Sequence, residues 1–356
     1  MKKPLTLSII TMLMISLLAG CAPTAAVAPA APSSPDASSP ASPPAPAPAA
    51  PEAPDEEPVP GNIRIGGLRG PGGMGMVKLL EDAEKGLTRN TYEYIYGASP
   101  EELTPKFLQG ELDIISIPAN IGAVIYHNTN GGAKVVAITA RGIMYVLEKG
   151  GEMIQTVADL KGQEMYSTGK GSSVEFALRY IFEQNGLDPN NDVDVDWRID
   201  PTEIIAAMVA SDHSIAMLPQ PFVTVALSQV QGLRVALDMT EEWDALDTDS
   251  QFLTTIWIVR SDFADSNPGA MDIFIEEFEE STNYVNANPA EGAALIEKYG
   301  IIAAPVAERA IPYCNLSAIS GTDMKRIMGS YLEVLHDQAP AAVGGTLPGD
   351  DFYYGA

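Results

Sequence analysis

Apolar residues along this chain alternate between two spacings. Short apolar or alternating runs predict strands, and i, i+3, i+4, i+7 stripes predict helices. The first such unit begins with the strand NIRIGG (62–67) and the loop LRGPGG, followed by a helix with Met76, Leu79, Leu80 and Ala83 on one face. Gly86 is placed to stop that helix. TYEYIY (91–96) predicts a second strand, Glu102, Leu103 and Phe107 mark a second helix, and LDIISIPAN (112–120) a third strand ending at Pro118. The same succession returns about one hundred residues later. QEMYS is a strand and TGKGS a loop, and Val174, Ala177, Leu178 and Ile181 form a helical stripe that Gly186 ends. DVDVDW, a helix through Glu203, Ile204 and Met208, and HSIAMLPQP ending at Pro219 complete the second unit. Each half reads β-loop-α-β-α-β, the signature of an α/β fold in which a mostly parallel sheet is flanked by helices.

Two further β-rich stretches, AKVVAITARGIMYVLEKG (133–150) and QFLTTIWIVRSDF (251–263), read as strands crossing between two lobes. The expected division places residues 62–147 and 253–356 in lobe 1 and residues 148–252 in lobe 2. The last third is helical over Pro268 to about Asn286, over PAEGAALIEKYG and over GTDMKRIMGSYLEVLHD, and ends in a turn-rich tail. The glutamates at 276, 277, 279 and 280 read as a solvated helix face.

The start of the chain has another character. Lys2 and Lys3 precede an apolar stretch, Leu5–Leu18, that is too short to span a bilayer, and Leu18-Ala19-Gly20-Cys21 then reads as a lipobox. Residues 1–20 are expected to be a lipoprotein signal peptide and Cys21 the lipidated residue. Residues 21–61 are dominated by Ala, Pro and Ser, which bury too little apolar surface to offset chain entropy, so they are expected to be a disordered stalk. The folded part is thereby expected outside the cytoplasmic membrane, held to it by lipid.

A formal net charge of −26 argues against nucleic-acid partners. Beyond Cys21 the one cysteine is Cys314, so the folded part has no intrachain disulfide and no cysteine-based metal site. His127, His213 and His336 are far apart and fit no zinc spacing, and no nucleophile–base pair stands out. No cofactor, no metal and no catalysis are expected.

Gly70, Gly72 and Gly75 in RGPGGMG fit the dinucleotide fingerprint G-x-G-x-x-G. That fold also needs an acid at the end of the second strand, where YGAS ends in Ser99. What remains is a glycine loop opening a helix whose free N–H groups suit a polar or anionic group, which nominates Gly72, Gly73 and Met74. In the other half, STGKGSS offers the hydroxyls of Ser167, Thr168 and Ser173, the glycines Gly169 and Gly171, and the charge of Lys170. Ser172 with Glu175 also reads as a capping box that starts the helix. Ala119 and Asn120 after Pro118, and Gln220 between two prolines, lie at strand ends, where open α/β sheets bind ligands. Asn120 reads equally as a helix cap. Gln220 does not read as one.

The lipobox, the stalk, the paired halves, and DIISIPAN, STGKGSSVEFALRYIFEQNGLDP, AMLPQPFVTVAL and WIVRSDFADSNP followed by STNYVNANP together resemble the substrate-binding lipoproteins of ABC importers. The nearest branch is the nitrate, sulfonate and taurine group, which also includes binders of thiamine-pyrimidine precursors. The resemblance covers roughly residues 62–354 and rests on the order of these segments. It implies a type II periplasmic-binding-protein fold whose two lobes close on a small molecule. Thr139 and Arg141 in TARG resemble the crossing segment that faces the cleft. The implied protein is a monomer whose partners are its ligand, the membrane and an ABC permease with a cytoplasmic ATPase. A sulfonate-like organic anion fits Lys170 and Arg141, with Arg69 a weaker candidate. A thiamine-pyrimidine heterocycle fits the aromatics Tyr145, Trp257 and Tyr313. A biosynthetic enzyme of the same fold and a tethered sensor are the other readings.

Overall fold

The computed structural model describes residues 58–246 and 249–356. The expected signal segment, Cys21 and most of the expected stalk lie outside the described residues. Residues 58–61, expected as the end of the stalk, are described, and the Gly61 amide donates to Asn90 Oδ1 at 2.8 Å.

Among the described residues eleven strands form two sheets: β1 (Asn62–Leu68), β2 (Thr91–Gly97), β3 (Ile114–Pro118), β4 (Ala133–Arg141), β5 (Met144–Lys149), β6 (Glu164–Thr168), β7 (Asp194–Arg198), β8 (Ser214–Pro219), β9 (Leu233–Asp238), β10 (Leu253–Arg260) and β11 (Leu316–Ile319). The first sheet has the order β11-β4-β10-β3-β1-β2 and the second β7-β6-β8-β5-β9. In the first, β2, β1 and β3 are parallel, β10 is antiparallel to β3 and β4, and β11 is antiparallel to β4. In the second, β7, β6 and β8 are parallel and β5 is antiparallel to β8 and β9. Strands β1–β4 therefore run one way in the first sheet and β6–β9 one way in the second, each set interrupted by one reversed strand. Burial matches these positions. Central β3 (IISIP) is buried up to its proline, as a strand covered on both faces requires, whereas the edge strands β2 and β7 alternate exposed with half-buried residues.

Two of the reversed strands, β5 and β10, adjoin the crossings between the sheets; the third, β11, is an edge strand. β5 follows β4 in the chain but joins the second sheet, and β10 follows the second half but enters the first sheet between β3 and β4. The run Met144–Leu147, expected in lobe 1, thus lies in the second sheet, and the chain leaves the first sheet at Arg141. An apolar run predicts a buried strand without naming the sheet that will pair with it. Between β4 and β5, a Cβ on Gly142 would stand 2.1 Å from Thr240 Oγ1 and 2.9 Å from Phe252, so this crossing has no room for a side chain. One apolar cluster continues through the crossing, joining Ile138 and Ile256 of the first sheet to Met144, Val146 and Met217 of the second. Trp243 anchors it, with ring centroids 5.7 Å from Phe252 and 5.4 Å from Tyr331.

Buried carboxylates fix the sheets at defined points. Asp113, ahead of β3, takes Arg64 of β1 at Oδ1 and Oδ2 and has Arg260 of β10 within 3.7 Å. Glu148 of β5 pairs with Arg234 of β9 and accepts the Met153 and Ile154 amides at 2.9 and 3.3 Å. Burial opposes the charge on Glu148, but the two amides and Arg234 outweigh it and hold the carboxyl below its ordinary value. A carboxyl that titrates lower in the folded chain contributes stability above its unfolded pKa and loses it as pH falls through the folded value. Glu148→Gln is therefore expected to lower the urea midpoint at pH 7 and to lose less further stability than the wild type between about pH 5 and about pH 3. Parallel acid limbs for the two proteins would show that Glu148 does not carry this dependence.

Candidate ligand cleft

The residues singled out in the sequence occupy the carboxyl ends of β1, β3 and β4 in the first sheet and of β6 and β8 in the second. After β1, Arg69 is exposed and Gly70 leads into a short helix, Pro71–Gly75. A Cβ at Gly72 would stand 2.9 Å from Ser116 Oγ and 3.0 Å from Thr139 Oγ1, one at Gly73 2.4 Å from the Leu68 carbonyl, and one at Gly75 2.8 Å from Thr282 Oγ1. These glycines let the helix lie directly on the sheet and on the helix Pro268–Ala287, which accounts for Gly72 and Gly75 of the fingerprint without a nucleotide. Met74 is fully buried in an apolar cluster with Val77, Val285, Ile296, Cys314 and Leu316, so its side chain belongs to the core rather than to the cleft.

Thr139 Oγ1 donates to Thr255 Oγ1 at 2.9 Å, and Thr255 stands in register with Pro118. Beneath Gly72, Ser116 Oγ is buried without a hydrogen-bond partner. The sequence reading did not nominate Ser116 and Thr255. A lone hydroxyl within the apolar run of β3 was the available signal.

Ala119 is buried in the main apolar cluster and opens the helix Ala119–Asn128. Asn120 does not cap that helix. Its amide N–H donates to Ser173 Oγ at 3.1 Å, Ser173 Oγ donates to Asn120 Oδ1 at 3.1 Å, and Asn120 Nδ2 donates to the Ala342 and Gly171 carbonyls at 3.1 and 3.4 Å. The two nominated loops thus meet, one from each lobe.

The β6 loop turns on Gly169 (φ +87°) and Gly171 (φ +77°), left-handed positions that favour glycine, with Lys170 exposed between them. Ser172 starts the helix Ser173–Gln184 as its cap, accepting the Val174 amide at 3.3 Å, while Glu175 accepts the Gly171 amide at 2.7 Å. Thr168 is buried, as is Ser167, whose hydroxyl donates to the Thr168 carbonyl at 3.3 Å. Lys170, Gly171 and Ser172 border a mostly apolar cavity of about 580 Å³ whose other walls include Pro118, Ile121, Thr104 and Leu108.

Gln220 corrects an expectation. Its Oε1 accepts both the Thr224 hydroxyl, at 2.9 Å, and the Thr224 amide, at 3.3 Å, so the amide side chain does cap the helix Phe222–Gln229. Flanking prolines restrict the backbone but leave a side chain long enough to reach four residues ahead. Among the aromatics, Trp257 is fully buried against Phe274 and Phe278, centroids 6.4 and 6.0 Å away, and is core. Tyr145 donates to the Tyr313 carbonyl at 3.3 Å, and burial, with Asp238 nearby, pushes its hydroxyl above the ordinary value. Tyr313 is exposed.

Charge separates this end of the molecule from the rest. The side chain of every lysine and arginine among the described residues makes an ion pair or a hydrogen bond except those of Arg69, Arg141 and Lys170. All three are exposed and follow or end β1, β4 and β6 at the carboxyl side. Among the described residues no group of three or more histidine, cysteine, aspartate or glutamate side chains is placed to hold a metal ion.

The NMT1-like family matches residues 81–298. The chain belongs to the NMT1-like family. Over 172 residues, 48% of its length, this NMT1-like chain is 25% identical to a Brucella abortus protein named "Putative binding protein". The match spans half the length of that relative. The chain also shares its fold with a crystal structure of an ABC transporter from Parabacteroides distasonis (TM-score 0.68, 22% identity, 82% of this chain and 98% of that one). A second structural neighbour is the periplasmic aliphatic sulphonate binding protein SsuA of Escherichia coli (TM-score 0.63, 18% identity, 80% and 90%). A third is the periplasmic nitrate-binding protein NrtA of Synechocystis (TM-score 0.51, 15% identity, 68% and 67%). The sulphonate and nitrate neighbours are binding proteins, not enzymes. The NMT1-like chain thus has the two-lobed type II periplasmic-binding-protein fold.

If the RGPGGMG glycines serve packing, their substitutions will differ in effect. A Cβ at Gly70 would meet nothing within 4 Å, so Gly70→Ala is expected to be nearly neutral in urea denaturation. Gly72→Ala and Gly73→Ala are expected to cost about 1–3 kcal/mol each. Equal effects at all three positions would refute the packing account.

Proposed function

We propose that this protein is an exported, lipid-anchored and monomeric solute-binding protein. In this reading it captures a small sulfonate-like organic anion between its lobes and delivers it to an ABC importer permease, whose ATPase works on the cytoplasmic side. The observation that carries the ligand class is the set of three unengaged cations. In a chain of net charge −26, carboxylates are available to nearly every lysine and arginine. Leaving Arg69, Arg141 and Lys170 without them, at the strand ends of both lobes, holds donors in reserve for an anion from outside. The fixed negative charge elsewhere would repel that anion, so its binding depends on these few groups. Closure would exclude water from around the pairs and strengthen them.

Titration calorimetry and thermal shift with taurine and alkanesulfonates, beside nitrate, carboxylates and pyrimidines, test the ligand class. A sulfonate at one hundred times its Kd is expected to add about 2.7 kcal/mol, a rise of several degrees in Tm. Arg141→Gln and Lys170→Gln are each expected to weaken binding about tenfold, about 1.4 kcal/mol. Binding confined to pyrimidines, or undiminished in both variants, would overturn the anion reading. Anchoring has its own test. Cells expressing the full chain are expected to incorporate labelled palmitate into it, and Cys21→Ala to abolish the incorporation. Unchanged labelling of Cys21→Ala would remove the lipobox assignment.

A further inference from the structure

The contact between Asn120 and Ser173 does more than place two candidate residues side by side. The helix Ala119–Asn128 begins after Pro118, whose side chain has no acceptor, so its first turn lacks a cap of its own. Ser173 supplies one from the other lobe, taking the Asn120 N–H with its hydroxyl oxygen and returning its own proton to Asn120 Oδ1. Both side chains are buried, Asn120 to 1% and Ser173 to 0% exposure, and are spent on each other rather than held open. Asn120 is aimed from its own lobe, because Nδ2 is fixed by the Ala342 carbonyl in the C-terminal tail. That tail is tied to the same helix by His127 Nε2 with the Thr346 carbonyl (2.7 Å) and by the Tyr126 hydroxyl with Asp351 (2.6 Å). Ser173 is also held from lobe 1 through its backbone, because the hydroxyl of Tyr331, on the helix Gly321–Gln338, donates to the Ser173 carbonyl at 3.3 Å.

We infer that Asn120 and Ser173 form a latch, a helix cap supplied across the cleft, that holds the two lobes together when no solute is bound. Closure is then biased before binding, and a solute meets a cleft whose closed form is already populated, which lessens the loss of affinity caused by a sparsely populated competent state. The inference rests on the two-lobed fold and is independent of which solute is carried, so failure of the anion reading leaves its test intact.

Hydrogen exchange on the ligand-free full-length protein reads the latch. A second contact between the lobes, the helix Ala304–Ala310 against the helix Phe222–Gln229, contains neither residue and reports opening from a distance. Asn120→Ala and Ser173→Ala are each expected to speed exchange about tenfold in 119–123 and by a similar factor in 222–229 and 304–310. The double variant is expected to add little, because either change breaks the same pair. Ser173→Thr, which keeps the hydroxyl, is expected to restore protection, and this rescue separates the latch from a general loss of folding. Faster exchange confined to 119–123 would reduce the pair to a local cap and overturn the latch. Unchanged exchange at all three segments, or failure of Ser173→Thr to rescue, would overturn it as well.

Discussion

The insertion of β10 between β3 and β4 is the constraint on which this architecture depends. Without it the first sheet would be two separate pieces, β2-β1-β3 and β4-β11, with unpaired edges facing each other across one strand's width. β5 plays the same part between β8 and β9. The first sheet completes itself with a strand reached only through the second, so the lobes are joined by the two chain crossings and by one continuous apolar cluster. The crossing explains why Gly142 is bare, since Thr240 and Phe252, which lead back toward β10, pass it at close range. It also leaves β1, β3, β4, β6 and β8 with free carboxyl ends, and every residue of the candidate cleft is found at or near one of them.

Glycine and charge have their uses decided by neighbours rather than by motif. RGPGGMG matches a nucleotide fingerprint, yet its close approaches are to Ser116, Thr139, Leu68 and Thr282 of the same molecule. In STGKGSS the glycines serve backbone conformation instead, both with positive φ and both flanking Lys170. The two loops occupy equivalent places in the two halves but solve different local problems. Their common feature is that a cation, Arg69 or Lys170, stands beside the turn without a carboxylate partner.

Much of the fold is legible in the sequence because periodicity reports burial directly. The runs in β3 and β8, the alternation in β2 and the stripes through Leu79–Leu80 and Leu178–Ile181 each mark an element that burial then explains. Pairing is not legible in this way. Nothing within Met144–Leu147 distinguishes a strand finishing the first sheet from one beginning the second, because that depends on β8 and β9. The site is read less completely for a related reason. Loops at strand ends can be nominated from topology, as Lys170 and Asn120 are, whereas Arg141 is nominated by the resemblance of TARG to a cleft-facing segment. Side-chain direction depends on packing from distant segments: the cluster around Val285 and Cys314 takes Met74 inward, the rings of Phe274 and Phe278 enclose Trp257, and Thr224 turns Gln220 back on its own helix. Ser116 is the converse case, a hydroxyl whose interest lies in the glycine above it.

The late insertion of β10 also governs the order in which a growing or refolding chain can assemble. All five strands of the second sheet lie between Met144 and Asp238, so that sheet can close from a contiguous stretch of chain. The first sheet cannot, because β3 and β4 must wait for β10, more than a hundred residues later, and β4 gains β11 only near the end. Contacts of such long sequence separation carry a large loop-closure cost and form slowly. The amino-terminal half therefore remains an incomplete sheet with exposed edges while the central half is able to finish, an interval in which a chaperone that shields β-edges has the most to protect.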